Sequence, residues 1–154
     1  MNGIQVWQRR LWFLGMLQFT LGLLTGLYLA MAPTTVANPR GLLASHLEAV
    51  MNGTFVILCG FLVPHVTLSD KARNTACGLL LYGTFANWFA TAVAGIVGTF
   101  EATPIAGAGH HAGVAPEKFV LAVLGSVAIT MIVAVGIFLA GLRGRGTSTA
   151  EASS

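Results

Sequence analysis

Charge is what this sequence has least of. Lys and Arg number 8 and Asp and Glu 5 among 154 residues, 8% in all, where soluble domains carry roughly 25%. That scarcity excludes a water-soluble enzyme. The net charge of +3 does not describe a nucleic-acid surface, because the basic residues sit at the ends of apolar stretches, where membrane proteins place them. Cysteine is nearly absent too. Cys59 and Cys77 each lie inside an apolar run, which excludes a disulfide scaffold and a cysteine-rich zinc site. Proline is confined: four of the five, Pro33, Pro39, Pro104 and Pro116, fall between the long apolar stretches.

What is present is hydrophobic residue in bulk, 55% of the chain, with a mean hydropathy of +0.78. Uncharged stretches of 29, 21, 27 and 24 residues separate Arg10 from Arg40, Glu48 from Asp70, Arg73 from Glu101 and Lys118 from Arg143. A membrane-crossing helix takes about 20 residues. The expectation is an all-α integral membrane four-helix bundle with spans at Leu11–Met31, Ser45–His65, Asn74–Phe100 and Phe119–Leu142. Residues 1–143 then form one four-span domain, and 144–154, rich in Gly, Ser, Thr and Ala, a disordered cytoplasmic tail. Arg9, Arg10, Lys71, Arg73, Arg143 and Arg145 fall on one side, Arg40 and Lys118 on the other. That asymmetry predicts both termini inside, in a multi-pass protein of the cytoplasmic membrane. Ala30-Met31-Ala32 looks like a signal-peptide cleavage site, but the apolar run before it is too long.

Each polar residue inside a span asks for a partner or a role. Gly15, Gln18, Gly22, Thr25 and Gly26 share a face of the first span, and Cys77, Thr84, Asn87, Thr91, Gly95 and Gly98 one of the third. Ala122, Ser126, Thr130 and Ala134 recur every four residues in the fourth. Small residues in such stripes read as helix packing. The second span is expected to open with Ser45-His46-Leu47-Glu48, a capping-box pattern. Glu48 and Asn52, four apart, share a face. His46, Val50 and Gly53 hold a neighbouring one, with Gly53 leaving room for something flat. His65 lies 19 residues from His46, about 28 Å along a helix, so the two cannot sandwich one haem. His110 and His111 sit in a Gly/Ala loop without carboxylate or thiol beside them.

The segment Ser45-His46-Leu47-Glu48-Ala49-Val50-Met51-Asn52-Gly53 resembles the second-helix motif of the hydroxylaminobenzene mutases. Tyr82-Gly83-Thr84-Phe85-Ala86-Asn87-Trp88 is similar to their third-helix signature, and Thr103-Pro104-Ile105-Ala106-Gly107 to the stretch after it. The resemblance extends over residues 10–143. More distantly the chain resembles styrene oxide isomerase, whose family implies a trimer with haem b between adjacent subunits and iron held by a histidine at the position of His46. Asn52 and Asn87 match that family's asparagines. Thr91 stands where the isomerase has a substrate-facing tyrosine, which favours the mutase branch.

The resemblance implies an isomerase (mutase) converting hydroxylaminobenzene-type arylhydroxylamines to 2-aminophenols. In that reading His46 holds ferric haem b as metal ligand, with Gly53 beside it. Asn52 and Asn87 orient the substrate oxygen. Glu48 shuttles a proton or anchors a haem propionate. Tyr82, Phe85 and Trp88 form an aromatic wall against water. The partners are then a small aromatic substrate, membrane lipid and further copies of the chain, a trimer by resemblance, with no nucleic acid. Two other readings compete: an epoxide isomerase, and a non-enzymatic four-span transporter or assembly protein. The latter lacks the mid-membrane charge and repeat that transporters show.

Overall fold

A computed structural model describes residues 3–31 and 34–143. Helix α1 spans Gly3–Met31, α2 Pro39–Leu62, α3 Asp70–Val97 and α4 Val114–Arg143, and a 3-10 turn at Val63–His65 extends α2. All four are long and apolar enough to cross a membrane, and no strand occurs among the described residues. The expected tail, 144–154, lies outside those residues, as do Ala32 and Pro33 of the supposed cleavage region.

The helix boundaries differ from the sequence expectation in informative ways. Helix α2 starts at Pro39, six residues before Ser45, because Asn38 is its cap: the backbone is extended there, and the side-chain oxygen accepts from Gly41 N at 3.1 Å. Proline at the first position suits a helix start, where its missing N–H would have no helical partner. Ser45 and Glu48 therefore do not open the helix; they lie inside it. Asp70–Arg73, left between the second and third expected spans, is the first turn of α3, capped by Ser69, whose hydroxyl accepts from Ala72 N. Helix α3 ends at Gly98, whose φ of +76° is the left-handed conformation glycine adopts freely.

Helix α1 packs on α2, α2 on α3, and α3 on α4, with a lighter contact of α1 to α3. The α1–α2 seam is backbone on backbone. A Cβ added at Gly53 would lie 2.6 Å from Phe19 N, and one at Gly15 2.8 Å from the Gly53 carbonyl. Small residues at such crossings let helices approach closely.

Near the helix ends that carry the chain termini, Leu11, Val56, Cys59, Val63, Ala76, Cys77, Leu80, Ala134 and Phe138 form the apolar core. Both thiols are free and buried there. Outward faces carry exposed Leu24, Met51, Leu58, Ile129 and Ile132. Large exposed apolar surface is unusual for a soluble monomer and natural in lipid.

At the opposite end one buried residue holds the loop between α3 and α4. The Glu117 carboxylate accepts backbone N–H bonds from Phe100 (3.0 Å), Glu101 (2.9 Å) and Ala112 (3.1 Å). His111 in this loop rests on Phe100. The Asn38 amide, while capping α2, donates to Ala106 O at 2.8 Å and so joins the two loops.

Candidate active site

Polar side chains concentrate where α1, α2 and α3 meet, on the loop side of the apolar core. Three residues of α2 point at α3. The Ser45 hydroxyl donates to the Trp88 carbonyl (3.1 Å), the Glu48 carboxyl lies beside Thr91, and the Asn52 amide reaches toward the Thr84 carbonyl (3.5 Å). Spacings of three and four residues put them on one stripe. Glu48 Oε2 is buried without a partner.

His46 takes a different direction. Its Nδ1 lies 2.7 Å from the carbonyl oxygen of Gly22 on α1. A carbonyl only accepts, so Nδ1 carries the proton and a neutral ring keeps its Nε2 lone pair free. The ring fits because α1 has no side chain there: a Cβ on Gly26 would sit 2.7 Å from Nδ1. Glu48 follows His46 by two residues, about 200° around the helix. The imidazole and the carboxylate thus leave α2 on nearly opposite sides, one toward α1 and one toward α3.

Asn87 is partly buried beside Trp88, and its side chain forms no hydrogen bond among the described residues. Trp88 joins α3 to α1, its indole N–H donating to Thr25 Oγ1 at 3.1 Å. It also lines a groove of about 360 Å³ with Thr25, Tyr28, Leu42 and Phe89. A neutral imidazole with a fixed tautomer and a free nitrogen is a ready metal ligand. The carboxamides of Asn52 and Gln18 and the Glu48 carboxylate lie on the other side of α2, toward α3.

Two expected members are not part of this arrangement. The room foreseen at Gly53 for a flat cofactor is filled by α1, whose backbone at Phe19 occupies that side. Tyr82 faces α4, its hydroxyl paired with Ser126 at 2.7 Å, because it lies two residues and about 200° from Thr84 on α3.

One residue read from sequence only as packing belongs to the site. Gln18 is fully buried, and its amide donates to the same Thr84 carbonyl at 2.6 Å. It is the one carboxamide within Leu11–Met31, and that polarity in an otherwise apolar helix was the available signal.

Comparison with known proteins places the chain in a family. Hydroxylaminobenzene mutase HabB of Ectopseudomonas oleovorans is 44% identical over 136 residues, covering 88% of this chain and 80% of that protein. Hydroxylaminobenzene mutase HabA of the same organism is 35% identical over 129 residues, covering 83% and 93%. No solved structure gives a significant match. The family described as styrene oxide isomerase matches residues 7–143. An all-helical chain of four membrane-spanning helices, matched along nearly its whole length, belongs to the styrene oxide isomerase family and is an enzyme of the isomerase or mutase type.

Proposed function

We propose that the enzyme rearranges hydroxylaminobenzene-type arylhydroxylamines to 2-aminophenols within the membrane. The reaction is taken from the two mutase relatives. The observation that carries its placement is the His46 imidazole, half-buried, fixed by the Gly22 carbonyl and open at Nε2.

The N–O bond of the substrate breaks, a C–O bond forms at the ortho carbon, and the ortho proton is passed on, so substrate and product share one formula. Residues of this chain suit each need. Asn52 and Asn87 donate N–H groups toward the migrating oxygen, where negative charge develops. Glu48, its Oε2 buried and without a partner, receives the ring proton. Trp88 and the apolar groove beside it keep water from the electron-poor ring.

His46 also fits the haem b of our reading. Its Nδ1–H is held by a backbone carbonyl, as is common for metal-ligating histidines, and Gly26 leaves the ring its space. His46 would hold the iron, and haem, when bound, supplies a Lewis acid toward the substrate oxygen. Every proton and every orienting contact otherwise comes from the side chains named.

The enzyme works as a homo-oligomer, a trimer on this reading, in the cytoplasmic membrane with both termini inside. Support for the assembly is the divergence of the His46 and Glu48 directions, which leaves a single chain without one pocket lined by both. Support for the orientation is the excess of Lys and Arg on the terminal side. Styrene oxide isomerisation is the second reading, favoured by the family match; Thr91, its hydroxyl donating to the Asn87 and Trp88 carbonyls, lacks a phenol to offer an epoxide.

The test is to purify the protein in detergent, record its visible spectrum and assay both substrates. 2-Aminophenol from hydroxylaminobenzene is the expected product, with a haem band that His46→Ala abolishes. Styrene oxide turnover alone overturns the mutase reading, and a colourless active protein removes haem.

A further inference from the structure

We infer that Gln18 is a positioning residue that holds the Asn52 amide in reserve for substrate. The inference rests on the mutase reading for Asn52's role. The Thr84 carbonyl lies inside α3, where such an oxygen also receives the backbone N–H four residues on, here that of Trp88. A carbonyl oxygen has two lone pairs. Gln18 Nε2, at 2.6 Å, takes the remaining place, and Asn52 Nδ2 is left at 3.5 Å from the same atom, a distance at which little of a hydrogen bond survives.

Asn52 is therefore aimed and not committed. Its amide sits about 20 Å along α2 from Pro39, in the middle of the span, where no water competes for it. Gln18 itself is fully buried, with its Oε1 unpartnered. An unmet acceptor at such depth is costly, and a methionine or leucine would fill the volume without it. What an apolar residue would not do is occupy Thr84. With that carbonyl vacant, the Asn52 N–H would close on it and withdraw from the substrate oxygen.

The experiment is a double-mutant cycle in the full chain in detergent: Gln18→Met, Asn52→Ala and both together, with Gln18→Glu beside them. Methionine matches glutamine in length and lacks a donor. Gln18→Met is expected to lower kcat about tenfold, the effect of one hydrogen bond, with KM unchanged. In the Asn52→Ala background the same change should alter kcat less than about twofold, because the two act as one unit. Gln18→Glu, protonated in the membrane and so still a donor to Thr84, should regain most of what methionine loses. Losses that multiply, a Gln18→Met variant with full kcat, or a glutamate variant as poor as methionine each overturn the inference.

A second readout needs no turnover. With ¹⁵N-asparagine labelling, the Asn52 side-chain resonance should move in Gln18→Met as it takes the freed carbonyl, and remain in place in Gln18→Glu. An unmoved resonance overturns the inference by itself. Should the methionine variant fail to fold, Gln18→Asn, one methylene too short to reach Thr84, takes its place with the same expected and overturning results. A wild type that does not convert hydroxylaminobenzene defeats the mutase reading instead, and the resonance then decides the role of Gln18 alone.

Discussion

Replacing Gly26 by alanine adds one methyl group at the point where α1 makes room for His46. The new Cβ would lie 2.7 Å from Nδ1, 2.8 Å from Cε1 and 3.0 Å from Cγ of the imidazole. Comfortable separation between such atoms is about 3.5–4.0 Å, so the ring must retreat by roughly 1 Å. That displacement stretches the 2.7 Å bond from Nδ1 to the Gly22 carbonyl beyond hydrogen-bonding range. Overpacking costs about 1–3 kcal/mol, and loss of the bond about 1 kcal/mol more. Gly125 and Gly136 provide the control, since a Cβ on either meets nothing within 4 Å. Alanine there should be neutral, or stabilise by up to about 1 kcal/mol through helix propensity. The assay is reversible unfolding in mixed detergent micelles, with mutase kcat/KM measured on the same samples. Gly26→Ala should lose both stability and activity, while Gly125→Ala and Gly136→Ala keep both. If all three glycines behave alike, the slot is not what holds the imidazole.

Glu117→Ala removes the one buried carboxylate that accepts three backbone N–H groups of the loop; with all three bonds lost at once, the variant should be destabilised, seen as a lower unfolding midpoint and faster proteolysis between Phe100 and Val114. Tyr82→Phe leaves the α2–α3 stripe untouched and should change kcat/KM by less than about twofold, in keeping with substitutions remote from a site; a large loss would restore Tyr82 to the catalytic group. Trp88→Phe breaks the bond to Thr25 and should cost about 0.5–1.5 kcal/mol. Because Thr25→Val breaks the same bond, the double variant should be no less stable than the worse single one.

Much of this molecule is legible from its sequence because lipid leaves few choices. Uncharged runs of sufficient length become helices, since only a helix satisfies its own backbone there, and four runs appear as four helices. Their ends were harder to read. The Ser45–Glu48 pattern imitates a cap, but the Asn38-Pro39 pair six residues earlier wins because proline cannot sit comfortably inside a helix. At the site, helical spacing correctly groups Glu48 with Asn52 and separates His46 from them. Spacing cannot say which neighbour each face meets, and so Gly53 and Tyr82 were drawn into a pocket that α1 and α4 claim for packing. Gln18 escaped for the same reason: its partner is a main-chain oxygen 66 residues away, and no side-chain pattern points to a carbonyl.

The anchorage at Glu117 has a bearing on how this family can diversify. Its three contacts are all with peptide N–H groups, which nineteen of the twenty amino acids supply equally. This anchorage alone would therefore let positions 100, 101 and 112 vary in bulk, polarity and charge, proline excepted, although Phe100 also packs on His111 and Glu101 pairs with Lys118. A single carboxylate kept at this position would let the rim of the protein drift toward new surroundings without disturbing the helices beneath it.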